Sequence, residues 1–141
     1  MAAGVVALDQ LTKAWAISAL ADGPIAIIDT TVQFRLARNT GAAFSLFASG
    51  GPIVGIMAIG VVILIFVALG DASRRLEAVA LGLVLGGAVG NLLDRAFRGD
   101  DFLSGAVVDF VYTSFFPTFN VADTAITFGV ALLLLSAFRR R

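Results

Sequence analysis

The sequence predicts an all-α membrane protein, with four transmembrane helices, a small extracytoplasmic β element and an interfacial segment. Two observations carry that prediction. The 141 residues are 59% hydrophobic and only 14% charged, with a mean hydropathy of +0.96, whereas a soluble domain carries about a quarter charged residues. The apolar residues also gather into runs of roughly 20, the length that crosses a bilayer as a helix. Formal net charge is zero, so nothing electrostatic favours nucleic acid as a partner. Cysteine and histidine are both absent, which excludes disulfides, cysteine nucleophiles, Ser-His-Asp triads and zinc sites built on His or Cys. Acid–base chemistry would have to use nine Asp, one Glu, one Lys, one Tyr or the backbone.

The first span covers about residues 2–21 and is apolar except around Asp9-Gln10 and Thr12-Lys13. Ala19-Leu20-Ala21 resembles a signal-peptide cleavage site. A charged pair interrupts the apolar core, however, and no basic residue precedes it, so a retained helix is the better reading. The apolar run starts at Met1 itself, which suggests a short basic leader upstream. Asp9 and Lys13 lie four apart on one helical face, acid first, the favourable order. Such a pair either neutralises itself or supports a site.

Residues 22–52 are expected outside the membrane. Pro24 breaks the helix, and Val32-Gln33-Phe34-Arg35-Leu36 alternates apolar with polar, the period of a half-buried strand. Asn39-Thr40-Gly41 supplies turn residues before Ala42-Ala43-Phe44. The second span, 53–70, contains no charge. Residues 71–77 form a short polar turn, and the third span runs over 78–97. In it Gly82, Gly86 and Gly90 recur every fourth residue, joined by Gly87, a ridge that lets another backbone approach closely. Packing does not account for Asn91, Asp94 and Arg95 at the end of the same helix, where Asn91 and Asp94 share a face.

Residues 98–120 are again extramembrane. Seven of the fourteen aromatic residues fall within 97–119, which suits a membrane–water interface. Asn120 reads as the N-cap of the fourth span, 121–138, with Asp123 in its first turn. Asn-x-x-Asp is a capping-box pattern, and an acid there is favoured by the helix dipole without any catalysis. Arg139-Arg140-Arg141 closes the chain. Four spans place both termini on one side, together with Arg74 and Arg75. Five arginines there outnumber Arg35, Arg38, Arg95 and Arg98 on the other side, so the termini and the 71–77 turn are expected in the cytoplasm. The whole of 1–141 reads as one domain.

Two acids stand out. Asp109 follows Val107-Val108 and precedes Phe110, and Asp123 opens the last apolar run. Brought together at an apolar boundary, two carboxylates share one proton, which suits them to hydrolysis by an activated water. The dipole at the start of a helix favours ionised Asp123, leaving the proton on Asp109.

Five stretches appear in order: Asp9-Gln10-Leu11-Thr12-Lys13, Arg38-Asn39-Thr40-Gly41-Ala42-Ala43-Phe44-Ser45, Gly86-Gly87-Ala88-Val89-Gly90-Asn91-Leu92-Leu93-Asp94-Arg95, Val107-Val108-Asp109-Phe110 and Phe119-Asn120-Val121-Ala122-Asp123-Thr124. Together they resemble the motif set of lipoprotein signal peptidase, the type II signal peptidase of bacteria, over residues 9 to about 130. The resemblance implies a four-helix inner-membrane aspartic endopeptidase that needs no cofactor or metal. It would remove signal peptides from diacylglyceryl-modified prolipoproteins, cutting before the lipidated cysteine. It implies Asp109 and Asp123 as the catalytic dyad. Asp9, Lys13, Asn39, Gly41, Asn91, Asp94, Arg95, Asn120 and Ala122 would be supporting or substrate-contacting residues. Lipidated precursors and membrane lipid are the implied partners, and the chain is expected to act as a monomer. The insert Arg98-Gly99-Asp100-Asp101-Phe102-Leu103-Ser104 looks more like the actinobacterial branch than the enterobacterial form. Asp100 and Asp101 match no motif position and are expected to be solvated.

Other classes fit less well. An ion- or proton-coupled carrier also buries acids in its helices but more often shows internal repeats, and none is convincing here. A non-catalytic subunit explains the glycines but not paired acids at one interface. A Gly-x-Gly-Asp protease would need a glycine where Ala68 precedes Leu69-Gly70-Asp71. A Ser-Lys peptidase would have to use Lys13, which has no evident serine partner.

Overall fold

The computed structural model describes residues 1–41, 50–70, 72 and 74–138. In chain order the elements are α1 (Ala2–Ala19), β1 (Ile25–Ile28), β2 (Val32–Asn39), α2 (Gly50–Gly70), α3 (Arg75–Phe97), β3 (Val107–Thr113), β4 (Phe116–Phe119) and α4 (Val121–Phe138). Among the described residues, three helices are long and apolar enough to cross a membrane, over Pro52–Gly70, Arg75–Phe97 and Val121–Phe138. The helix expected at 2–21 forms and ends at Ala19. Asp9, Gln10 and Lys13 in its middle keep it out of that set.

α3 is the shared neighbour of the other three helices, and its glycines explain how they reach it. Gly82 lies under Met1, Gly86 under Ala2 and Val5, and Gly90 under Asp9, so this row is the seat of α1. A Cβ at Gly86 would come within 2.6 Å of Val5 Cβ and 2.8 Å of the Ala2 carbonyl oxygen, so only glycine permits the approach. Gly87 faces the other way, onto Ala122 and Ile126 of α4. The ridge read from the sequence is therefore two seats, one for each flanking helix. α3 also starts at Arg75, three residues earlier than expected. Glu77 is consequently helical and buried, not part of a polar turn, and Ser136 Oγ of α4 donates to its Oε1 at 3.1 Å.

The four strands form one antiparallel sheet in the order β1-β2-β3-β4. The strand expected around 32–36 is β2, which continues to Asn39. The larger difference is at 98–119. This stretch, expected to be an interfacial segment, contributes two strands. Val107–Thr113 is β-branched and aromatic, as strands prefer. It lacks alternation because its first four residues are all buried, so both faces are covered. β2 and β3 pair with Ala37 opposite Asp109 and Asn39 opposite Val107. Residues 42–47 of the expected β segment, Asp71 and the Arg139–Arg141 tail lie outside the described residues.

α1 ties this sheet to the helices. Phe110 packs on Ala16 and Leu20, and Trp15 meets Phe34 and Phe110 edge-on, with centroids 5.3 and 6.1 Å apart. Burying a side chain such as Phe110 stabilises the fold by about 1.5–3 kcal/mol. Arg35 stacks over Tyr112 at 3.9 Å on the open face.

Candidate active site

Where β3 and the first turn of α4 meet, the structure brings Asp109 and Asp123 to one asparagine. Asn120 ends the β4–α4 link and caps α4. Its backbone N–H donates to Asp123 Oδ2 at 3.2 Å, while its Oδ1 accepts the Asp123 N–H at 2.9 Å. This is the reciprocal capping box read from the sequence. The same side chain turns its amide to Asp109, donating from Nδ2 to Oδ1 at 2.7 Å. The cap is thus also the bridge between the two acids.

Asp109 is only 2% exposed. Burial, followed by the nearby charge of Asp123, pushes its carboxyl up to about 6, against the pull of hydrogen bonds from Asn39 and Asn120. Asn39 reaches it from β2 and is itself fixed by its own turn, where the Gly41 N–H donates to Asn39 Oδ1 at 2.9 Å. Gly41 adopts φ +80°, a conformation that suits glycine in such a turn. A side chain there would also crowd Val54 and Arg95.

Behind the dyad lies a buried ionic cluster. Lys13 Nζ donates to Asp9 Oδ2 at 2.8 Å, Asp94 Oδ2 at 2.8 Å and Asn91 Oδ1 at 2.9 Å. That uses all three ammonium donors. Lys13, Asp9 and Asp94 are each 0% exposed. Asn91 then donates from Nδ2 to Asp123 Oδ1 at 2.9 Å, so Lys13 is two hydrogen bonds from the dyad. Asp9 Oδ1 accepts the Ala122 N–H at 3.0 Å, satisfying an otherwise orphaned donor at the start of α4. Asp94 Oδ2 accepts the Val108 N–H at 3.0 Å, pinning the strand that carries Asp109.

Asp9 and Lys13 are therefore more than an isolated pair. They neutralise each other, and they hold α3 and α4. Two members of the cluster were not anticipated. Gln10 donates to Asp9, Asp94 and the Gly90 carbonyl, and Arg98 Nε pairs with Asp94 Oδ1 at 2.8 Å. The four-residue spacing of Asp94 and Arg98 was a legible signal. For Gln10 there was none beyond its place beside Asp9.

Arg95 is 8% exposed, lies in the field of Asp94 and Asp109, and has a buried Nη1 without a hydrogen-bond partner among the described residues. Asp100 and Asp101 are exposed and stand apart from the site.

The family model described as signal peptidase (SPase) II matches residues 1–139. The chain belongs to the signal peptidase II family, a family of peptidases. It is 45% identical over 140 residues to a lipoprotein signal peptidase of Mycobacterium avium (strain 104), covering 96% of this chain and 75% of that one. It is 46% identical over 136 residues to one from Rhodococcus jostii (strain RHA1), covering 94% and 68%. A third, from Mycolicibacterium smegmatis (strain ATCC 700084 / mc(2)155), is 46% identical over 144 residues, covering 98% of this chain and 60% of the relative. These relatives are actinobacterial, as the insert at 98–104 suggested. Two solved structures titled as a bacterial membrane enzyme superpose with TM-scores of 0.80 and 0.81. They are 29% and 30% identical, cover 98% and 96% of this chain, and are themselves covered to 85% and 88%.

Proposed function

We propose that this signal peptidase II family member is an aspartic endopeptidase. It removes the signal peptide from diacylglyceryl-modified prolipoproteins, cutting just before the lipidated cysteine. The observation that carries the reading is that Asn120 holds both acids, its side-chain amide donating to Asp109 Oδ1 and its backbone N–H to Asp123 Oδ2, while burial and repulsion favour the proton on Asp109. Asp123, accepting on both oxygens, takes a proton from a water lying between the acids. Asp109 Oδ1 accepts from Asn120, and the proton that Asp109 carries is offered to the scissile carbonyl. The water oxygen bonds to the carbonyl carbon. As the C–N bond breaks, a proton passes from the acid pair to the departing amine of the cysteine. Arg95, whose Nη1 has no hydrogen-bond partner among the described residues, donates to a substrate carbonyl in this reading, and Asn39, Gly41, Asn91 and Ala122 hold the geometry.

In this reading α1 is the fourth span, because Asp9 and Lys13 are paired and fully buried and present no charge to lipid. Both termini are then cytoplasmic and the dyad lies near the extracytoplasmic face. The protein has no native cysteine, so single-cysteine labelling can check this. Ser114→Cys is expected to react with an impermeant maleimide from outside, and Arg74→Cys only after the membrane is opened. The reverse pattern would invert the topology.

The activity itself is tested with purified protein in detergent, given a diacylglyceryl-modified prolipoprotein and its unlipidated form. Release of the signal peptide from the lipidated precursor alone is the expected result. An intact lipidated precursor, under conditions where a relative cuts it, would sink the proposal.

A further inference from the structure

A cleft of about 400 Å³ lies directly beside Asp123. It is lined by Thr113, Phe115, Phe116 and Phe119 from the β3–β4 hairpin and by Thr124, Thr127 and Phe128 from α4. None of the charged cluster behind the dyad enters it. We infer that this cleft seats one acyl chain of the substrate's diacylglyceryl group and so sets chain-length preference. The inference rests on the peptidase reading above and deepens it.

Three observations favour an acyl chain over a peptide segment. First, the cleft offers few hydrogen-bond donors, because its hydroxyls are turned to the backbone. Thr124 Oγ1 donates to the Asn120 carbonyl at 3.0 Å, Thr127 Oγ1 to the Asp123 carbonyl at 2.8 Å, and Thr113 Oγ1 reaches the Phe116 carbonyl at 3.4 Å. An extended peptide would leave its own N–H groups unpaired there, at a cost an alkyl chain does not incur. Second, β4 is the edge strand beside the cleft, and Pro117 within it has no N–H, which blocks strand addition along that edge.

Third, the aromatic walls are open, with Phe115 79% exposed, Phe116 60% and Phe128 64%, so an alkyl chain finds apolar surface on both sides of the cleft. Phe128 lies five residues along α4 from Asp123, about 7.5 Å at the helical rise. The cleft therefore leads from the dyad into the part of α4 apolar enough to lie in the bilayer. A chain entering there keeps its thioether-linked cysteine beside Asp123.

The test compares two prolipoprotein substrates that differ only in their diacylglyceryl chains, dipalmitoyl or dibutyryl, in detergent micelles. Wild type is run beside Thr127→Trp, which fills the cleft, and Phe116→Ala, which removes a wall. Each is checked by thermal melting. Wild type is expected to prefer the long-chain substrate by at least about tenfold in kcat/KM. Thr127→Trp should erase most of that preference by raising KM for the long-chain substrate well beyond its effect on the short-chain one, and Phe116→Ala should narrow it. Equal loss on both substrates, as expected if the cleft holds only bulk lipid or shapes the fold, would overturn the inference. So would an unchanged preference in both folded variants. Failure of wild type to cut either substrate would overturn the peptidase reading and this inference with it.

Discussion

Asp109→Asn is expected to abolish cleavage while making the protein more stable above pH 6. The two effects share one origin. Asp109 carries its proton up to about pH 6 because burial and Asp123 oppose its charge, so the folded state binds that proton more tightly than the unfolded chain, whose carboxyl titrates near 3.8. Below both values the group is neutral in either state and contributes nothing. As pH rises from about 4 to 6 the unfolded chain ionises freely while the folded one cannot, and stability falls. Above 6 the full penalty applies, on the order of 3 kcal/mol. Asparagine never ionises and never pays it.

Melting curves of Asp109→Asn and wild type should therefore converge near pH 4 and separate above 6, with the variant higher. Activity should fall by at least about 10³-fold, since an amide cannot deliver the proton the carbonyl needs. For wild type, kcat/KM should decline as pH rises past about 6, and kcat at a higher pH, because bound substrate displaces water from around the acid. Asp123→Asn is expected to be as inactive. Near-normal turnover by either folded variant would point instead to Asp94.

Lys13→Met is the substitution expected to cost most in stability. It leaves Asp9 and Asp94 facing each other in the interior without their shared cation, and removing one member of a buried ionic set typically costs about 3–5 kcal/mol. Arg98 and Gln10 still hold Asp94 Oδ1, so the loss should be partly recovered in Lys13→Met/Asp94→Asn. Thermal melting of the single and double variants separates these outcomes. If Lys13→Met melts like wild type, the cluster is not what joins α1 to the rest.

The helices were legible because their signals are local: apolar runs of membrane length, a glycine row, an N-cap three residues before an acid. The sheet was only half legible. Gln33 and Arg35 gave β2 its alternation, but β3 has both faces covered at Val107–Phe110 and so shows a continuous apolar run, which periodicity cannot assign. Its aromatic residues then read as an interfacial segment. Asp109 and Asp123 stood out as two costly acids, while the asparagine that links them did not. That Asn120 turns its amide to Asp109 follows from the β3–β4 hairpin, in which Val111 pairs with Phe119, and these are the two strands that the sequence did not disclose. Gln10 illustrates the remaining gap, since a polar residue on an apolar helix does not disclose which neighbouring helix it will reach.

The way α4 begins has a consequence for ageing and heat. Helix ends ordinarily fray first, and a catalytic group in a first turn would lose its aim well before the molecule came apart. Here the Ala122 N–H is tied to Asp9 and the Asp123 N–H to Asn120, so that turn is anchored to the most deeply interior charges of the protein. Hydrolytic competence and the folded state should then fail at the same temperature, as one cooperative event, with no window in which an intact but idle enzyme accumulates in the membrane.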